Sequence, residues 1–190
     1  MGPIIEGGSA DSYWFQTMER AVAHSSHGAF GPEWLWAEDS FRRALSLDPQ
    51  LVEARLRLGR VYSLLDRRND AERELLQAQK DAARAGNATV GYLAAVFLGQ
   101  LYEKTDRTEP ALAAYRVAVA LYPSGQVGPL ALSRLLVASG SGAEGWEAGA
   151  QAVERVQARA SPDPWVTYSR GRIMWELYLN LQRLRMQVRQ

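Results

Sequence analysis

The sequence predicts an all-α protein built from consecutive helical hairpins, and three observations carry that reading. Small and large apolar residues recur at fixed offsets between Tyr92 and Pro123. With Tyr92 as position 1, Ala95, Leu98, Gly99, Tyr102, Ala111, Tyr115, Ala118 and Pro123 fall at 4, 7, 8, 11, 20, 24, 27 and 32. The same pattern stands one unit earlier, where Val52 as position 1 places Leu58, Gly59, Tyr62, Ala71, Leu75 and Ala78 at 7, 8, 11, 20, 24 and 27. Breaks containing glycine or proline separate the periodic stretches. Apolar residues three, four and seven apart give each helix one buried stripe. Gly59, Gly99 and the alanines are small enough for two backbones to approach closely, and Pro123 stops the helix before it.

Taken in order, Tyr13, Phe15, Met18 and Ala21 predict a first helix from Asp11 to about His24, capped by Asp11 or Ser12. Two glycines and a proline make Ser25 to Pro32 a loop. Leu35, Ala37, Phe41, Ala44 and Leu45 predict a helix over Glu33 to Leu47, closed by Asp48-Pro49. Counted back from Pro49, this is the second helix of a unit whose first helix has His24 and Ser25 in the Leu-Gly slots, as expected of a degenerate capping unit. The unit beginning at Val52 follows without a gap. Its alanine-rich second helix runs through QAQKDAARAG to Gly86, and this overlong helix with its Gly-Asn stop absorbs six extra residues before the unit at Tyr92.

Beyond Pro123, Leu130, Leu132, Leu135 and Leu136 predict a helix over Gln126 to Ala138, with Ser133 in the glycine slot. SGSGAEG, Ser139 to Gly145, is read as a turn, Trp146 to Ala160 as a helix, and Pro162-Asp163-Pro164 as a break. A terminal capping helix is expected from Trp165 to about Val188. The expected domain plan is a flexible tail over residues 1–10 and a single repeat domain over 11–190. Its units are 18–51, 52–85, 92–125 and 126–158, with the terminal helix over 165–188, for nine helices in all.

A chain of 190 residues, 47% hydrophobic and 23% charged, is long enough for a substantial core or a short repeat array. Its net charge of +1 argues against nucleic acid as a partner, because polyanion binders carry a strong basic excess. Charge is unevenly placed. Residues 1–40 hold six acids against one base, a balance of −5, and residues 151–190 hold seven arginines against three acids, a balance of +4. There is no cysteine, hence no disulfide or thiol chemistry, and the compartment, cytoplasmic or periplasmic, stays open. MGPIIEGGSADS has neither the basic start nor the apolar centre of a signal peptide. No stretch approaches the roughly 18 apolar residues of a membrane helix, so a soluble chain without membrane insertion is expected.

Catalytic chemistry finds no foothold: no phosphate-cradling glycine loop, HExxH or nucleophile elbow is present. His24 and His27 form a polar turn rather than a metal site, with only Glu33 near them in sequence. Trp34 and Trp36, two apart on one helix, cannot both face the main stripe, so one is a candidate interface anchor. No cofactor and no metal are expected.

The two consecutive Leu-Gly-x-x-Tyr then Ala-x3-aromatic/Leu-x2-Ala patterns resemble the tetratricopeptide repeat, whose period is about 34 residues. The run DPWVTYSRGR with LQRLR downstream resembles the carboxyl-terminal end of bacterial repeat proteins. The resemblance implies a right-handed α-solenoid whose first helices line a concave groove that holds an extended peptide or a partner's helix. It also implies a non-enzymatic protein-interaction module. Groove positions 2, 5, 9, 12 and 13 would be Glu53, Leu56, Arg60, Ser63 and Leu64, then Leu93, Val96, Gln100, Glu103 and Lys104, then Val127, Leu130, Arg134, Val137 and Ala138. Arg60, Gln100 and Arg134 would form a row of donors one repeat apart. The Lys/Asn clamp by which some members hold a carboxyl terminus is missing, because Leu56 and Phe97 stand where polar residues are needed. Leu93, Val96, Phe97 and Leu130 instead favour an apolar helix or a packed internal surface. Whether the chain's own terminal helix fills the groove stays open, as does a rival reading: a structural subunit or carboxyl-terminal fragment of a larger assembly. In that reading the acidic front and basic end stack head to tail into a homo-oligomer.

Overall fold

The computed structural model describes residues 32–157, 163–165 and 168. Among these there are seven α-helices and no strand: α1 (Pro32–Leu47), α2 (Val52–Leu64), α3 (Arg68–Arg84), α4 (Ala88–Lys104), α5 (Thr108–Leu121), α6 (Val127–Ala138) and α7 (Gly142–Gln157). The helix expected over Asp11 to His24, the His24/His27 pair, the side chains of Trp34 and Trp36, and the helix expected over 165–188 apart from Trp165 and Tyr168 lie outside the described residues. Each helix packs on the next along the chain, and α2 also touches α4. Hairpins stacked on their neighbours with first helices meeting is the arrangement of an all-α solenoid.

Small residues set the hairpin contacts. A Cβ built on Gly59 would lie 2.7 Å from Leu75 Cγ, and one built on Gly99 would collide with the ring of Tyr115. In the third hairpin the glycines have crossed to the partner helix. Ser133 fills the slot on α6, and a Cβ on Gly145 or Gly149 of α7 would come within 2.7 Å of Val137 Cγ2 or 2.9 Å of Ser133 Oγ. Ser133 Oγ also donates to the Gly145 carbonyl at 2.6 Å. Gly145 is therefore a contact residue inside a helix, and α7 begins at Gly142 rather than Trp146.

One turn closes all three hairpins. Asp66 (φ 58°), Asp106 (φ 55°) and Gly140 (φ 92°) take the left-handed conformation. The next amide in each case, of Arg67, Arg107 and Ser141, donates at 2.9 Å to the carbonyl of Tyr62, Tyr102 and Leu136. This is the six-to-one closure by which helices commonly end.

The six extra residues are shared between two helices instead of being absorbed by one. Helices α3 and α4 are both 17 residues long, against 13 for α2 and 14 for α5. Helix α4 starts a turn before Tyr92 because Asn87 Oδ1 accepts the Val90 amide at 3.0 Å, a side-chain N-cap.

Adjacent hairpins are joined by a repeated latch. Arg67 lies over the Tyr62 ring, 4.3 Å from its centroid, and donates to Glu38 of the preceding hairpin at 2.8 Å. Arg107 lies 4.5 Å over Tyr102 and donates to Glu72 at 2.7 Å. Tyr102 also donates to Glu72 at 2.9 Å. Burial and the neighbouring carboxylate push the Tyr102 hydroxyl pKa up to about 12. The corresponding residues of the third joint are Leu112, Leu136 and Ser141, which cannot form this latch.

At the centre, α4 is buried without a break from Val90 to Gly99. A helix that is apolar all round needs cover on every side. Helices α2, α3 and α5 supply part of that cover, and the rest shapes the site described next.

Candidate protein-binding face

The first helices α2, α4 and α6 carry the residues expected to line a groove, and the structure divides them into a buried set and a more exposed set. Leu56, Leu93, Val96 and Ser63 are buried, so a guest has no access to them in this conformation. The reason is the apolar α4, whose neighbours close over it. Glu53 is half-buried and accepts from Arg57 one turn along. Arg60 and Gln100 do meet, with Arg60 Nη1 donating to Gln100 Oε1 at 3.5 Å, and the Arg60 guanidinium lies 4.9 Å from the Phe97 ring centroid.

Arg134 is largely exposed and donates to Glu103, which also accepts the Tyr115 hydroxyl. The donor row is thus two linked pairs, Arg60–Gln100 and Glu103–Arg134, rather than three separate donors. The Glu103 carboxylate holds the Arg134 pKa above its ordinary value, and burial together with that carboxylate raises Tyr115. Leu130 and Val137 flank Arg134 on α6 and are about half exposed, at 52% and 46%. Lys104 pairs with Asp66, and Leu64 is exposed beside that turn.

Asp163, Trp165 and Tyr168 lie against this face. Asp163 is 3% exposed, and its Oδ2 accepts from the Gln126 amide at 2.6 Å, the Val127 amide at 2.9 Å and the Tyr92 hydroxyl at 2.9 Å. Its Oδ1 accepts from the Trp165 amide at 2.7 Å. The carboxylate thus sits at the N-terminus of α6, where orphan amides and the helix dipole favour negative charge. Burial and the Asp163 carboxylate drive the Tyr92 pKa well above the usual tyrosine range.

Trp165 and Tyr168 then meet Phe97 edge to face, each with centroids 5.4 Å apart, and lie 6.2 Å from one another. The Arg57 guanidinium covers Tyr168 at 4.8 Å. Edge-to-face aromatic pairs contribute about 0.5–1.5 kcal/mol each beyond area burial. Asp163 thus meets the α6 N-terminus, Trp165 and Tyr168 meet Phe97 of α4, and Tyr168 meets Arg57 of α2.

Sequence reasoning placed Leu56, Phe97 and Arg60 here but missed Asp163, Trp165, Tyr168, Tyr92 and Arg57. A signal existed in the stretch from Ala88 to Gly99, which has no charged residue and so requires cover on the face that other helices leave open. What supplies that cover is set by a contact between residues some seventy positions apart, which periodicity does not encode.

Among the described residues no group of three or more His, Cys, Asp and Glu converges as a metal would need, and no helix is long and apolar enough to cross a membrane. The sequence profile of the tetratricopeptide repeat matches residues 94–124. Among solved structures, one titled MamA MSR-1 superposes with a TM-score of 0.55 at 16% identity, over 83% of each chain. MamA 41-end from Desulfovibrio magneticus RS-1 superposes with a TM-score of 0.54 at 20% identity, over 76% of each chain. MamA AMB-1 superposes with a TM-score of 0.50 at 15% identity, over 80% of this chain and 95% of that one. At such identities the likeness is one of fold. No curated protein matches the sequence.

Proposed function

We propose that this chain, which matches the tetratricopeptide repeat over residues 94–124 and shares its fold with MamA, is a non-catalytic interaction module whose α2–α4–α6 face is a concave groove for a segment of a partner protein. The observation that supports this reading is that the face already seats three side chains from later in the chain, the Asp163 carboxylate against backbone amides and the Trp165 and Tyr168 rings against Phe97 and the Arg57 guanidinium. Leu56, Ser63, Leu93 and Val96 form the floor. Glu53, Arg60, Gln100, Glu103, Leu130 and Arg134 form the rim a partner touches. Side chains held on rigid helices lose little freedom on binding, which favours affinity.

The test is crosslinking capture from a lysate at low and high salt, with the chain and its Leu130→Asp/Arg134→Glu variant. A protein recovered by the first and lost from the second is expected. Recovery of nothing above background at either salt contradicts the reading.

Charge asymmetry favours a second reading, self-association of the acidic front (−5 over residues 1–40) with the basic end (+4 over 151–190). Sedimentation at two salt concentrations separates the two, because stacking by charge weakens as screening rises.

A further inference from the structure

Asp163, Trp165 and Tyr168 cover part of the α2–α4–α6 face through side chains that any polypeptide can supply. We propose that Asp163, Trp165 and Tyr168 form an intramolecular ligand, and that the partner of this face is a segment of the same chemistry: an acidic residue followed two and five positions later by aromatic rings. The inference deepens the functional reading above and rests on it, since it names the class of partner and gives the face a closed state.

Three features of the seat select this pattern. The two amides of Gln126 and Val127 and the Tyr92 hydroxyl converge on one carboxylate oxygen, in a spot where Asp163 is 3% exposed. An amide or hydroxyl in place of the carboxylate would lose the charge that the helix N-terminus favours. Phe97 offers its ring to both Trp165 and Tyr168, so two rings must lie near each other on the guest. The Arg57 and Arg60 guanidiniums cover the rings of Tyr168 and Phe97, and these two cations repel a basic guest side chain and attract an aromatic one.

A resident ligand competes at the high effective concentration of an intramolecular event, on the order of millimolar for a short tether. A partner segment binds well only when it outcompetes the resident one or when the resident one is released. The face is thereby restricted to guests that match the whole pattern.

The experiment uses the full chain and a labelled synthetic peptide carrying residues 161–170, read by fluorescence anisotropy. The Trp165→Ala/Tyr168→Ala chain is expected to bind the peptide at least tenfold more tightly than the unchanged chain. A peptide with Asp163→Asn should bind that variant at least tenfold more weakly. Equal binding by both chains, or no binding by a variant whose circular dichroism melt shows it folded, overturns the proposal.

If the double variant does not fold, the near-isosteric Asp163→Asn chain supplies the test through hydrogen exchange. The Gln126 and Val127 amides should exchange at least tenfold faster than in the unchanged chain, and should slow again when the peptide is added. Unchanged exchange, or exchange that the peptide leaves fast, overturns the proposal. Failure of the peptide experiments removes the resident ligand, whereas failure of the lysate capture removes the interaction reading, so the two are told apart.

Discussion

A side chain at Gly99 has nowhere to go: its Cβ would enter the Tyr115 ring, and Tyr115 is itself buried and tied to Glu103. Gly99→Leu should therefore destabilise by about 1–3 kcal/mol or more through overpacking, which corresponds to about 2–4 °C of melting temperature per kcal/mol at this chain length. An unchanged melt would show that α4 and α5 do not pack as described.

Glu72 gives a prediction of different kind. Arg107 and then Tyr102 hold its carboxyl below the ordinary value of 4.5 against the opposing effect of burial. A group whose folded pKa lies below its unfolded one contributes stability that is present above the unfolded value and lost as pH falls through the folded one. Glu72→Gln should cost about 1 kcal/mol at neutral pH, the value of a partly exposed ion pair. The difference in melting temperature between the two proteins should begin to shrink near pH 4.5 and vanish as pH falls through the lower folded value; a constant difference down to pH 3 would deny the latch its electrostatic origin. Gly59 and Gly99 were legible from sequence because a small residue at a fixed offset has one physical use. The latch was not, because Glu38 and Glu72 look like any exposed helical acid until Arg67 and Arg107 of the next hairpin reach them.

At the scale of elements, the periodic stretches place the helices well, and the misreadings cluster where one residue type serves two ends. Gly145 reads as a breaker, but it lies inside α7 and makes room for Val137 and Ser133. Asn87 reads as part of a helix stop, and its side chain instead starts α4 a turn early. Asn87→Ala should accordingly cost about 1 kcal/mol, the usual worth of a side-chain N-cap. Native-state hydrogen exchange should show faster exchange at Val90 without change at Leu98. Equal exchange at Val90 in the two proteins would show that the cap does not hold that turn.

For the whole molecule, the stack of hairpins and its apolar centre follow from spacing, while what lies on the α2–α4–α6 face does not. Periodicity tells where a helix is apolar, and α4 is apolar over Val90 to Gly99 on all sides. It does not tell which distant segment closes the remaining side. Leu56, Leu93 and Val96 are buried, and Arg60, Gln100 and Arg134 are drawn into pairs on the same helices. Helical repeats gain stability from neighbours, and here Asp163, Trp165 and Tyr168 add a contact that joins α2, α4 and α6 at once.

The seating of the segment on Phe97 is the claim on which the rest depends, and a double-mutant cycle between Phe97→Leu and Trp165→Leu, read by urea unfolding, tests it most directly. A coupling of about 0.5–1.5 kcal/mol is expected for rings that meet edge to face. Additive effects, with no coupling beyond about 0.3 kcal/mol, would mean that the two rings do not touch and that the face is open.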